Sequence, residues 1–375
     1  YTSTMKYDVS ENSIPELDET IQNFLKKVRK RKYHILSWPR VYGGRECTYM
    51  ETAILDERTS YYAAPMLDML GTTIMGPTIL KVGTEANKKE WIPKIASGEL
   101  RLWLAYSEPN SGSDLSSIQT TAVEDGDDYM ISGQKIWSSI AHISDYAWLI
   151  AKTDPNTRPQ KGLSIFMVDN KTPGIELRPL VNALGEHHFN EVFYDHVRVP
   201  KKNLIGQKNK GFYYVMTALE FERISLVGIG TFKRVFQALV DYVNSTVRDG
   251  MPLASDVTTR RKLSEIAVKL EIGYLMFWRT ASMMDKGEVP TVEASSVKLI
   301  TSELSQQLAD VSMDILGPYG LLESGSKWTP LRGLVQRGYL DCIPATIGAG
   351  TSEIQRNIIA TRGLGLPVHK HEQRP

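Results

Sequence analysis

The hydrophobic period of this chain changes twice, and no single-layer architecture accommodates both changes. From Ser13 the segment SIPELDETIQNFLKKVRKRK has a cap-like Ser, Pro15 in the first turn, and Ile21, Phe24, Leu25 and Val28 at helical spacing. Helical patterning continues past the turn PRVYGG to about Leu100, and Gly and Pro in MLDMLGTTIMGPTILKVG are expected to mark helix ends. Between about Arg101 and Gly206 the runs shorten to DYMISG, YAWLIAKT, LSIFMVD and EVFYDHVRVP, separated by EDGDD, DPNTRP and KTPG. Such runs predict antiparallel strands in a small barrel or sandwich. After GQKNKGF the helical period returns near 211–248, 257–287 and 291–316, with a last amphipathic stretch SEIQRNIIATRGL. The expected fold is mainly α with a central β domain: an N-terminal helical domain over 1–100, a β domain over 101–206 and a C-terminal helical bundle over 207–375.

With 375 residues, 42% of them hydrophobic, the chain can bury two or three packed units. Its 44 Lys and Arg against 43 Asp and Glu leave a formal charge of +1. No global field then draws it to nucleic acid or to a membrane surface, and neither is an expected partner. No apolar run approaches the roughly 18 residues of a membrane span, and the start YTSTMKYDVSENS lacks the basic-then-apolar order of a signal peptide. Cys47 and Cys342 form no CxxC pair, which fits a reducing compartment; the expected location is the cytoplasm.

Several signals are too weak to carry chemistry. GIG at Gly228 to Gly230 lacks the other glycines of a dinucleotide fingerprint and a preceding strand, so close helix packing explains it better than phosphate binding. His187 and His188 are adjacent and cannot share a helical face; with no other His at ligand spacing, no metal is expected. Two loops stand out. LAYSEPNSGSDLSS, Leu104 to Ser117, crowds hydroxyls, Pro and Gly where a phosphate or a ring edge could be cradled, although an ordinary capped loop reads the same way. IGAGTSEIQ, Ile347 to Gln355, is a small-residue turn entering a helix with Thr351 as its cap. A third stretch, TALEFERIS, places Glu222 and Arg223 in a long amphipathic helix, where Glu is usually solvated.

In order and spacing, SEPNSGSD, ISGQKIWSS, VRVPKKNLIGQKNKGF and IGAGTSEIQRNIIA resemble the flavin-dependent acyl-CoA dehydrogenases over essentially the whole chain. That resemblance implies an N-terminal helical domain, a middle β domain and a C-terminal four-helix bundle. It also implies a reaction: a carboxylate removes the α-proton of an acyl thioester while hydride leaves the β-carbon for flavin, giving a trans-2-enoyl-CoA. The thioester carbonyl is polarised by a backbone N–H, which by match belongs to Ala349, with Gly350 beside the substrate. Most members carry their catalytic Glu at the position of Ala349. The branch that includes isovaleryl-CoA dehydrogenase resembles this chain in reading GAGT and takes its base from a sequence like LERL. FERI is the match here, which makes Glu222 the candidate base, expected to be buried with a raised pKa.

By the same resemblance Arg223 contacts CoA and Glu220 lies near the pantetheine, although a helix-surface ion pair would explain Arg223 equally simply. Leu104, Tyr106, Ser107, Gly112 and Ser113 fall at the edge of the FAD ring, Ser113 facing CoA as well, and Trp137 and Ser139 at its face and rim. Thr351 and Glu353 match positions at the adenine half, and Arg248 matches an arginine that a neighbouring subunit extends to the pyrophosphate. Asp314 and Gly317, in DILGPYG, match positions that reach the dinucleotide; Asp314 replaces a Gln, Pro318 replaces a glycine, and an acid there would repel phosphate unless it faces away. The family partners implied are electron-transferring flavoprotein and further copies in a homotetramer. The departures leave two rivals: a subunit of a heteromeric dehydrogenase with an incomplete flavin site, and a flavin-free acyl-CoA-binding scaffold. Gly348 and Ala349 leave space that predicts an acyl chain with bulk near its α or β carbon, such as a branched or cyclic acid.

Overall fold

Apolar runs too continuous for a half-exposed strand make the core of the sheet. The computed structural model describes residues 19–65, 69–98, 100–225 and 228–367. In chain order, α1 (Glu19–Lys30), α2 (Tyr49–Tyr61), α3 (Gly76–Val82) and α4 (Glu85–Ser97) come first. Eight strands follow: β1 (Leu102–Ala105), β2 (Thr121–Asp125), β3 (Asp128–Lys135), β4 (Tyr146–Lys152), β5 (Leu163–Asp169), β6 (Ile175–Val181), β7 (His187–Pro200) and β8 (Leu204–Ile205). The chain returns to helix in α5 (Gly211–Ser225) and α6 (Ile229–Ser245), then makes a hairpin of β9 (Val247–Arg248) and β10 (Met251–Pro252). Helices α7 (Val257–Asp285), α8 (Thr291–Leu316), α9 (Leu334–Asp341) and α10 (Ser352–Ile358) complete it. The fold is thus helical, then β, then helical.

The described residues divide into two compact units, one made of 19–47 and those within Pro65–Glu222, the other of Thr48–Ala64 and those after Glu222. In the first, the sheet runs β6-β7-β3-β2-β4-β5-β8. Most neighbours are antiparallel, as expected, but β1 joins β4 in parallel, and so does β2 at its Thr121 end. Strand β4 is buried on both faces: Trp148 and Ile150 pack with Trp91, Ile92, Ile95 and Val215, while Ala147, Leu149 and Ala151 pack with Tyr129, Ile131 and Val192. This explains why YAWLIAK is apolar throughout. Strand β7 breaks its own alternation. Pairing passes from Gly133 with Tyr194 to Ile131 with Val197, so β7 has one extra residue, and His196 in that bulge has φ +49°.

Three expectations need correction. The helix expected over 211–248 is two helices, separated where Gly228 adopts φ +57°. Gly71 lies inside a π-turn, Leu70–Met75, rather than at a helix end; the Trp38 indole donates to the Thr72 carbonyl in this irregular turn at 3.0 Å. Leu25 and Val28 are buried on α1 but Phe24 is exposed. The expected start at Ser13 and Pro15 lies outside the described residues.

In the second unit, α2 packs on α6 and α7, and α7 on α8, around Ala53, Ile229, Leu239, Leu270 and Leu304. The N-terminus of α2 is closed by Asp285, whose carboxylate accepts the N–H groups of Tyr49 (2.6 Å) and Met50 (3.2 Å). Gly230 explains GIG as close packing: a Cβ there would lie 2.1 Å from the Glu57 carbonyl oxygen and 2.5 Å from Tyr61 N. No helix among the described residues is long and apolar enough to cross a membrane. Gly230→Ala should push α6 off α2 and lower stability by about 1–3 kcal/mol, read as a lower urea midpoint; an unchanged midpoint would contradict this packing.

Candidate active site

The sheet unit brings two sequence-distant motifs together around one buried ion pair. Lys135, at the end of β3, has no exposed side-chain surface and lies 2.8 Å from Glu108, whose side chain is 7% exposed. Lys135 also donates to the Tyr106 carbonyl at 3.0 Å, and Glu108 accepts the N–H groups of Gln119 and Thr120. Burial pulls the Lys135 ammonium down to about 8 against the opposing pull of Glu108. For Glu108, burial alone would raise the pKa, but Lys135 and the N–H donors outweigh it and hold the carboxyl low. Both groups are therefore charged at neutral pH. Next to the pair, Ile136 N–H donates to the Ser107 carbonyl at 3.0 Å, so Leu104, Tyr106 and Ser107 are tied to the segment carrying Trp137 and Ser139.

Trp137 is 61% exposed, at φ +57°, with Phe189 edge-on at 6.2 Å. Gly112 and Ser113 are exposed at the tip of the other loop. The expectation that this loop offers its hydroxyls to a ligand needs correction for three of them. Ser111 and Ser117 donate to the Asp114 carbonyl, and Ser116 to the Asp114 carboxylate. The loop spends those donors on its own shape. Helix α5 carries Glu220, Glu222 and Arg223, whose side chains lie outside the described set.

In the helical unit the GAGT turn is pinned from one side. Buried Gln355 donates to the carbonyls of Ala349 (3.1 Å) and Gly350 (3.0 Å), and Lys298 donates to Gly350 at 2.8 Å. Ala349 is held at φ +54°, and among the described residues no hydrogen bond takes up its N–H. Thr351 caps α10, as the sequence predicts, through its hydroxyl and Ile354 N–H. Thr351 and Glu353 line a cavity of about 450 Å³ with Glu303, Gln306, Asp310 and Arg356. Arg248 and Asp314 meet in a second cavity, of about 610 Å³. There Arg248 donates to the Ile315 carbonyl at 2.7 Å, and Asp314 pairs with Lys262 at 2.8 Å. Gly317, at φ +58°, ends α8 beside them. Among the described residues no cluster of three or more His, Cys, Asp or Glu could hold a metal ion.

Comparison with known proteins supplies the class. The acyl-CoA dehydrogenase N-terminal, middle and C-terminal domain models match residues 6–99, 104–197 and 209–364. The chain belongs to the acyl-CoA dehydrogenase family, flavoprotein oxidoreductases that act on acyl-CoA thioesters. It is 33% identical over 340 residues to acyl-CoA dehydrogenase FadE26 of Mycobacterium tuberculosis, covering 88% of this chain and 84% of the relative. Among solved structures it is similar to the ChsE4-ChsE5 complex from Mycobacterium tuberculosis, with a TM-score of 0.86 and 31% identity over 95% of this chain and 92% of that one. The Tcur3481-Tcur3483 steroid ACAD gives a TM-score of 0.86 and 30% identity over 93% and 90%.

In the sheet unit the exposed indole on a strained backbone offers a flat apolar platform that suits the ring of an FAD. In the helical unit the polar cavity of about 450 Å³ offers donors and acceptors to a polar ligand. The cavity at Arg248 is less suited to a phosphate: Arg248 and Lys262 share its lining with Asp249, Asp256 and Asp314. Sequence reading missed Lys262, Lys298, Glu108 and Lys135, because each acts on a partner distant in sequence, and it missed Gln355, whose amide folds back on carbonyls five and six residues earlier. Lys135→Met strands a buried carboxylate and should cost about 3–5 kcal/mol. The double variant with Glu108→Gln should lose less. Urea titration of both decides, and an equal loss would remove the pair as the cause.

Proposed function

We propose that this chain oxidises a branched or cyclic acyl-CoA thioester to its trans-2-enoyl-CoA, with Glu222 as the base that removes the α-proton. The observation that carries this reading is the turn at Ala349. A methyl side chain cannot accept a proton, so the carboxylate has to come from another element, and FERI on α5 supplies the matching Glu. The Ala349 N–H, held in a left-handed turn through its neighbouring carbonyls, binds the thioester oxygen and stabilises the negative charge that develops when the proton leaves. Arg223, Glu220 and Ser113 hold the CoA portion, and Gly348 and Ala349 leave room for bulk beside the reacting carbons. Trp137, Ser139 and Tyr106 would hold the ring of an FAD, which when bound would supply the acceptor for the β-hydride, and Thr351 and Glu353 are the residues the reading assigns to its adenine half. Electron-transferring flavoprotein, a homotetramer and a cytoplasmic location complete the reading. A steroid substrate class in the name of one structural relative supports a bulky acyl group.

A second reading is a subunit of a heteromeric dehydrogenase. It is favoured by the surplus of carboxylates around Arg248 and by the Asp314–Lys262 pair, and a structural relative is itself a complex of two named chains.

Anaerobic mixing with a panel of acyl-CoAs, following flavin absorbance, tests the first reading. Wild type should bleach with branched or cyclic substrates in preference to straight ones. Glu222→Gln should bind acyl-CoA yet bleach about 10²–10⁴-fold more slowly. Equal rates in both proteins remove Glu222 as the base. Protein that purifies without flavin and gains it only when mixed with a second chain establishes the heteromer.

A further inference from the structure

Trp137 is held by a polar cluster that the reaction itself does not use. Two non-glycine residues within four positions, Trp137 at φ +57° and Ile140 at φ +55°, occupy the left-handed region, which is costly for a β-branched residue above all. Strain of this kind persists only where the surroundings enforce it. Three hydrogen bonds to the start of β7 do so: Ser138 N–H to the Asn190 carbonyl (3.1 Å), Ile140 N–H to the His188 carbonyl (2.9 Å), and Asn190 Nδ2 to the Ser138 carbonyl (3.0 Å).

Asn190 has no exposed surface, and its amide orientation is settled by chemistry. A carbonyl can only accept, so the group facing Ser138 is Nδ2. The same nitrogen lies 3.1 Å from His142 Nδ1, which must therefore be the unprotonated nitrogen of that ring. Asn190 Oδ1 lies 2.8 Å from His187 Nε2, which must donate. The two imidazoles stack at 3.7 Å with 17° between their planes and close over the amide. Burial, and then the nearby His187 and His188, lower the pKa of His142, in keeping with a ring that accepts. Ser138 Oγ is buried without a partner among the described residues, so the segment is held through its backbone rather than through this side chain. Phe189, the residue before Asn190, stands edge-on to the Trp137 indole. The result is a large apolar ring kept 61% exposed on a strained backbone and braced from beneath. Burial of an indole stabilises a fold; bracing one in the open does not, and suits a surface reserved for a flat ligand.

We propose that Asn190, oriented by His142 and His187, is a positioning residue that fixes the Trp137–Ser139 segment as the platform for the flavin ring. The ligand in this inference rests on the flavin reading above; the bracing of Trp137 does not.

The test uses full-length protein labelled with 5-fluorotryptophan, in which Trp137→Phe identifies the Trp137 resonance among seven. Asn190→Ala should move or broaden that resonance and weaken FAD binding about tenfold or more. In a Trp137→Phe background the same substitution should change FAD affinity less than about twofold, because the two residues act through one contact. Equal loss of FAD in both backgrounds, or an unmoved Trp137 resonance, overturns the proposal. Should Asn190→Ala not fold, exposed His142 decides the matter: His142→Gln keeps an acceptor for Asn190 and should retain the wild-type signal and affinity, whereas His142→Leu should not. Identical behaviour of those two variants overturns the proposal. If wild type binds no FAD, the flavin reading fails, and the fluorine resonances of the flavin-free protein still decide whether Asn190 holds Trp137.

Discussion

The contact between Lys135 and Glu108 is what the sheet unit's candidate surface depends on. Desolvating an ammonium and a carboxylate together is costly, and their mutual attraction offsets that cost only if the remaining donors and acceptors are met. Here the Tyr106 carbonyl takes a second ammonium hydrogen beside Glu108, and two backbone N–H groups fill out the carboxylate. An apolar pair of equal volume could be as stable. It would not fix position in the same way, because the charged pair ties residues 106–108, 119–120 and 135 at one point and lays Ser107 against Ile136. The loop and the Trp137 segment are thereby set against each other by a contact that tolerates little displacement.

The helical unit solves a related problem at a turn rather than at an ion pair. An alanine at φ +54° is unfavourable, and the turn is kept there by Gln355 and Lys298, both buried and both acting on carbonyls. Restraint applied only to carbonyls leaves the N–H direction open. That is what an oxyanion donor needs: it must be oriented before the substrate arrives, yet have no internal partner to give up. Gly350 completes the geometry, since a Cβ on it would come within 2.7 Å of Gln355 Nε2.

Much of this was legible in the sequence wherever the information is local. The two changes of period located the sheet between helical segments, YAWLIAK read correctly as a strand, and Thr351 was recognisable as a cap because a capping hydroxyl bonds three residues ahead. The break at Gly228 and the bulge at His196 were not legible. One glycine in an apolar helix is compatible with continuation, and a single inserted residue shifts alternation without changing composition. The family was legible from motifs and their order, and the candidate site is read from those motifs. Its supports were not, because nothing in a charge pattern says that Lys135 meets Glu108, that Lys262 meets Asp314, or that Asn190 reaches Ser138. The hydroxyl-rich loop misled for the same reason: a serine available to a ligand and one spent on Asp114 look identical in sequence.

The Arg248 region is where charge bears on assembly. Arg248 is exposed, with one guanidinium nitrogen committed to the Ile315 carbonyl at the negative end of α8, and Lys262 is committed to Asp314. Asp314 is therefore compensated rather than bare, which removes the sharpest objection to a phosphate nearby. It does so by spending the other local cation, so Asp249 and Asp256 face an incoming dianion with Arg248 as the uncompensated base among the residues lining that cavity. Unit charges 4–6 Å apart interact by roughly 3–4 kcal/mol at an effective dielectric near 20, enough to decide whether a pyrophosphate stays. A second chain that brings its own positive charge to this cavity would reverse the balance, and a second identical copy would bring the same acids with it. Charge at this one cavity is thus the feature of the chain that bears on the proposed choice between a homo-oligomer and a subunit with a different partner.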